Sequence, residues 1–295
     1  MSDLAGSNDA RIYEQGYRSY DGPRLGLRSS IISLAIHSMR RGLGLRRTFW
    51  AKLLPIATVV IAYVPAMVFV GIAALIPEEL TDELDTLPSY ADYFGNITAA
   101  MILFVAVVGP EVLCSDRKNG MLGMYLASPL SRETYLLAKV LAVVPVLLLV
   151  TLGPQLLLLI GRTLVDVGPD SVGDFLLILL RTIASGLVVA SIYTAVSLAS
   201  SSLTDRRAVA SAGVILTLLV SSAVTAALVE GADMDLRLYL LNLGFLPTEL
   251  VYRIYGESGG EASLDTASLV AAAFAWVLGS MSIVVWRYRK LTVTR

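Results

Sequence analysis

The sequence predicts an all-α membrane protein with six transmembrane helices and both termini cytoplasmic, and three observations carry that reading. Of 295 residues, 56% are hydrophobic and 16% charged, well below the roughly one quarter charged residues of a soluble domain. Six stretches, 53–76, 97–114, 140–161, 175–198, 208–229 and 267–286, are long and apolar enough to cross, since about 20 residues at about 1.5 Å each span a core of about 30 Å. Lys and Arg are unevenly placed: nineteen lie in the four segments on one side of those stretches and three on the other, which predicts that the basic side faces inward.

The first element is a polar segment, 1–48, ahead of a six-span domain, 49–295. No apolar run lies near its start, so a cleaved secretory signal is not expected and the segment is expected to stay cytoplasmic. Within it Leu27, Ile31, Leu34, Ala35 and Met39 recur at helical spacing among Arg24, Arg28, Arg40 and Arg41. This predicts an amphipathic helix along the inner membrane interface, held by apolar burial and by attraction of Arg to anionic headgroups; a simple topogenic anchor is the alternative. His37 on this segment is expected to be a surface or packing residue.

Four spans carry no charge, while Glu111 in the second and Arg181 in the fourth lie near span ends, where a charge costs less than at the midplane. Arg181 is expected to snorkel to the outer face beside Asp174. Glu111 is expected close to Lys139 as an ion pair or loop anchor. Pro55, Pro65, Pro110, Pro145 and Pro154 are candidate kinks, and Gly186, Ala190 and Thr194 form a small-residue stripe for close packing within the chain or between copies. The first outer loop is acidic, with Glu78, Glu79, Asp82, Glu83, Asp85 and Asp92. The last outer segment, 231–265, is apolar but interrupted by Arg237, Asn242, Pro247, Glu249 and Arg253, which predicts a short helix or hairpin at the outer interface rather than another crossing.

Composition also excludes classes of chemistry. One His and one Cys cannot build a multidentate metal site or an internal disulfide. The sequence has no G-x-x-x-x-G-K-[ST] loop for nucleotide phosphates. Ser221 and Ser222 have no intramembrane His to activate them. No catalytic residue, cofactor or metal site is therefore expected in this chain, and no nucleic-acid partner.

The most informative stretch follows the second span. Asn119 and Gly120 suit a turn with positive φ, Pro129 interrupts any helix, and Ser131 caps the next one with Glu133 in its first turn. Between those breaks one short apolar helix is expected, carrying Met121, Leu122, Met124, Tyr125 and Leu126. A greasy knob flanked by charge calls for a partner groove or the membrane surface.

In these residues the chain resembles the membrane subunits of ABC-2 type transporters. Glu111, Asp116, Arg117, Gly120, Pro129, Arg132 and Lys139 follow the pattern of that family, and Tyr13, Gly16, Tyr17, Tyr20, Gly22 and Arg24 are similar to the start of its bacterial permeases, including those of the NosY type. The resemblance implies a permease in the bacterial plasma membrane that pairs with a second copy or a sister permease. Each half would dock a separate ATPase subunit that holds ATP and Mg, and the complex would export an unidentified substrate. The short helix would be the coupling helix, with Arg117, Gly120, Met121, Leu122, Met124, Tyr125, Leu126, Pro129 and Arg132 as the ATPase contact. Glu111, Lys139 and Arg181 would be structural or gating residues. Two rivals stay open: a module relaying ATPase motion to an extracytoplasmic protein, and an ATP-independent carrier, although repeat symmetry and midplane ionisable groups, usual in carriers, are scarce here.

Overall fold

A computed structural model of the chain describes residues 22, 25–45, 49–75, 87–257, 259–260 and 263–291. Tyr13, Gly16, Tyr17, Tyr20, Arg24 and the acidic residues 78–85 lie outside them. Among the described residues the regular elements are helical: α1 (Gly26–Gly42), α2 (Phe49–Leu75), α3 (Asp92–Lys118), α4 (Leu122–Leu126), α5 (Arg132–Thr151), α6 (Gly153–Leu164), α7 (Val172–Leu203), α8 (Arg207–Ala226), α9 (Phe245–Tyr255) and α10 (Thr266–Lys290). Among the described residues six units are long and apolar enough to cross a membrane: α2, α3, α5 with α6, α7, α8 with the π turn Ala227–Gly231, and α10. They coincide with the six stretches expected from composition. The helices run past most of those bounds, furthest in α5 with α6 at 132–164 against 140–161, α3 at 92–118 against 97–114 and α7 at 172–203 against 175–198. A helix continues into polar residues for as long as its backbone bonds close, whereas counting apolar residues stops at the first charge.

The prolines behave unequally. Pro55, Pro65, Pro110 and Pro145 sit inside continuous helices, whereas Pro154 coincides with a break between α5 and α6. Proline there has no N–H to offer the carbonyl four residues back. Close by, the Leu149 carbonyl accepts the Tyr63 hydroxyl of α2 at 3.1 Å, the kind of side-chain substitution that a broken helix in lipid requires.

The core forms around α3. Its apolar stretch is 72% buried, against 22% for α2 and α8 and 17% for α10, and it packs on α1, α2, α5, α7, α8 and α9. Close approach to α7 depends on Gly109: a Cβ there would overlap the Ser197 hydroxyl and lie 2.9 Å from Ser197 Cβ. Ser197 meanwhile donates to the Val105 carbonyl at 3.1 Å. Lipid tails are as apolar as Leu, so such small-residue contacts and interhelical hydrogen bonds, rather than the hydrophobic effect, favour helix association. In the Gly186 stripe, the Gly186 carbonyl accepts the Thr151 hydroxyl at 3.4 Å, and Ala190 and Thr194 are buried. That stripe packs within the chain.

The segment after α8 does not cross. A 3-10 turn, Leu236–Leu241, leads to α9, whose Leu246, Leu250 and Val251 are buried against α7, α10 and α3. Asn242 makes the corner: its Oδ1 accepts the Gly244 and Phe245 amides at 2.9 and 3.0 Å and the Ser222 hydroxyl of α8 at 2.7 Å.

Candidate functional site

The loop between α3 and α5 is built by local rules. Gly120 takes a φ of +64°, which an L side chain rarely adopts, and turns the chain out of α3. Ser131 caps α5 by accepting the Thr134 amide at 3.2 Å, while Thr134 Oγ1 accepts the Ser131 amide at 2.8 Å. Pro129 and this reciprocal cap leave α4 as a helix of five residues.

Its faces are sorted. Leu122 is buried, Tyr125 and Leu126 pack partly against the core, and Met124 is 69% exposed, next to exposed Ala127, Ser128 and Pro129. Of the expected contact residues, Met124 and Pro129 therefore point outward, Met121 and Leu126 are half-buried, and Leu122 and Tyr125 turn inward. Tyr125 lies 5.8 Å from the Tyr135 ring of α5, and Tyr135 lies 5.8 Å from the Tyr288 ring of α10. Burial, with the Asp116 carboxylate adding to it, raises the Tyr125 phenol above its ordinary range, so it stays neutral at pH 7.

Beneath the rings lies an ionic cluster almost wholly buried from solvent. Asp116 Oδ1 meets Arg41 Nη1 at 2.6 Å and Asp116 Oδ2 meets Lys139 Nζ at 2.6 Å, with the Asp116 and Lys139 side chains fully buried. Tyr135 donates to Asp116 Oδ2 at 2.9 Å, Lys139 Nζ donates to Ser38 Oγ at 2.7 Å, and Arg41 Nη2 donates to the Val112 carbonyl at 2.9 Å. Lys139 also stands 5.1 Å and 5.7 Å from the Tyr135 and Tyr125 ring centroids, near enough for cation–π attraction. One cluster thus joins α1, α3, α4 and α5, and the Tyr288 ring adds α10.

Glu111 and Lys139 do not pair. Glu111 Oε2 meets Arg207 Nη1 of α8 at 2.6 Å and accepts Ser115 Oγ at 3.1 Å. Glu111 and Asp116 are five residues apart, which on a helix places them about 140° around the axis from each other, one toward α8 and the other toward α5. Sequence reasoning found Lys139 but missed Ser38, Arg41, Tyr135 and Tyr288 as its surroundings. The available signal was Lys139 itself, an ammonium two turns inside an apolar helix, which demands a buried counter-charge.

Arg117 and Arg132 are engaged within the chain. Arg117 donates to the Ser202 and Thr204 carbonyls at 2.6 and 3.2 Å where α7 ends. Arg132 donates to the Tyr288, Arg289 and Leu291 carbonyls at 3.2, 2.6 and 3.2 Å where α10 ends. Both satisfy carbonyls that a helix leaves without intrahelical donors. Arg132→Met is expected to fray the last turn of α10, raising amide hydrogen exchange at residues 288–291 at least tenfold with the rest of α10 unchanged; equal protection would refute the capping role.

At the opposite end, Arg181 is half-buried beside Gly256, and Tyr255 shares a hydrogen bond with Thr182 at 2.8 Å. Arg162 donates to the Pro88 carbonyl at 2.7 Å and stacks 5.0 Å from the Tyr90 ring centroid, while Gln155 donates to the Tyr90 carbonyl at 3.0 Å. These contacts lock that end of the bundle. Among the described residues, no group of three or more His, Cys, Asp or Glu is placed to hold a metal ion. Residues 73–284 match the family described as "ABC-2 family transporter protein". No curated protein matches the chain.

Proposed function

The chain belongs to the ABC-2 family of transporter proteins, and from that membership together with the geometry of α4 we infer how it works as the membrane-spanning permease subunit of an ABC transporter. It is a multi-pass membrane protein, and in this reading it sits in a bacterial plasma membrane, similar to permeases of the NosY type, with the α4 end cytoplasmic. A separate ATPase subunit binds ATP and Mg and docks on α4. A second copy or a sister permease completes the pair, and the cycle exports a substrate.

The observation that carries this reading is the mounting of α4. A chain driven by an ATPase elsewhere needs a stiff handle, and α4 is a short helix fixed at Gly120 and Ser131 that presents Met124 outward. Its inward residue Tyr125 rests on the Asp116–Lys139 cluster. A push on α4 therefore bears at once on α1, α3, α5 and, through Tyr288 and Arg132, on α10. Close packing favours such transmission, since packed cores shift between discrete arrangements instead of deforming continuously.

Met124→Asp tests the reading. A buried interface anchor is typically worth 2 kcal/mol or more, so co-purification of the ATPase subunit with the permease is expected to fall at least tenfold. Thermal stability is expected to hold, because Met124 is exposed. Undiminished co-purification, with hydrolysis still stimulated by the permease, would sink the assignment.

A further inference from the structure

The least buried span, α10, carries a groove of about 470 Å³ along one face. Leu278, Met281, Ser282 and Val285 line its length, and Trp286, Arg289 and Lys290 close the end that lies beside the start of α5. Leu278, Trp286 and Arg289 are more than half exposed. Lys290 Nζ sits 4.1 Å from the Trp286 ring centroid, and Arg289 Nη2 shares a 2.7 Å ion pair with Glu133. Ser282 apart, the groove is thus apolar along its floor and cationic at one mouth.

We propose that this groove binds one anionic phospholipid, with the headgroup phosphate on Lys290 and Arg289 and an acyl chain along Val285, Met281 and Leu278. Its dimensions agree: the twelve steps from Leu278 to Lys290, at about 1.5 Å each, run about 18 Å, close to the roughly 15 Å depth of one hydrocarbon leaflet. Trp286 stands where an indole is favoured, at the level of the headgroups. Lys290, stacked on that ring, is the principal phosphate ligand, because Glu133 already offsets part of the Arg289 charge. Charge also decides between lipid and a second copy of the chain. A two-fold partner laid along the same face would set Lys290 and Arg289 against their own copies, and like charges across a contact are unfavourable. The proposal goes beyond the transport reading and does not depend on it.

The test uses purified full-length protein in vesicles of phosphatidylcholine with phosphatidylglycerol, one or the other brominated in its acyl chains. Of the three tryptophans, Trp50, Trp276 and Trp286, the last is isolated by subtracting the signal of Trp286→Phe. Brominated phosphatidylglycerol is expected to quench Trp286 with about fivefold preference over brominated phosphatidylcholine at equal mole fraction, roughly the factor one lysine supplies at an anionic surface. Lys290→Gln is expected to abolish the preference while leaving Trp286 quenched by bulk lipid. Equal quenching by the two lipids in the wild type would overturn the proposal, leaving only unselective lipid contact. Absence of quenching by either would overturn it as well, since protein would then cover the groove.

Discussion

Asp116→Ala is expected to be the most damaging single substitution at the α4 end, costing about 3–5 kcal/mol of stability, the range found when one partner of a buried ion pair is removed. Asp116 is the common counter-charge of Arg41 and Lys139, each at 2.6 Å. Without it two cations face one another where no water reaches Lys139. Lys139→Met is expected to cost less, because the Asp116–Arg41 pair and the Tyr135 hydrogen bond survive it. The double variant should recover part of the loss of Asp116→Ala, leaving only Arg41, whose side chain is 12% exposed and keeps the Val112 carbonyl. Reversible unfolding of the purified protein in mixed micelles supplies the cycle. A loss under about 1 kcal/mol for Asp116→Ala, or strict additivity in the double variant, would show that the cluster is not coupled as described.

Gly109→Val is expected to be the most damaging change at the α3–α7 crossing. A Cβ at 109 falls on Ser197, so α3 and α7 must part. Forcing methyl groups into a packed interior costs about 1–3 kcal/mol, with Val at the upper end and Ala below it. Turning Ser197 aside does not relieve the overlap, because Ser197 Cβ is itself 2.9 Å from the new atom. Pairing Gly109→Ala with Ser197→Gly moves the missing Cβ to the other helix and is expected to restore most of the stability, less about 1 kcal/mol for the lost Ser197–Val105 hydrogen bond. Unfolding midpoints of the two single variants and the pair are the measurement. If Gly109→Val were as stable as the wild type, the helices would not touch there.

Much of the fold could be read locally. The six spans follow from apolar length alone, and the turn at Gly120, the stop at Pro129 and the cap at Ser131 each rest on residues within three positions of one another. The same signals delimited α4. They did not orient it. That Met124 faces out while Leu122 and Tyr125 face in depends on where α5 and α10 place Tyr135 and Tyr288. Pro154 coincides with a helix break and four other prolines do not, and the Tyr63 hydroxyl that reaches the Leu149 carbonyl beside that break comes from α2, far away in sequence.

Local chemistry also showed that Glu111, Asp116 and Lys139 needed partners, since an uncompensated charge in hydrocarbon is costly. It could not say which partners. Asp116 lies 75 residues from Arg41 and 19 from Tyr135, and separations of that kind leave no periodic trace in a chain. The sequence by itself determined that the polypeptide crosses a bilayer six times and where the turn, stop and cap around α4 fall, because apolar length, capping and backbone freedom act between near neighbours. Only the tertiary structure decided that Asp116 answers Lys139 while Glu111 answers Arg207, because the rotation of each helix about its axis is fixed by packing against the others.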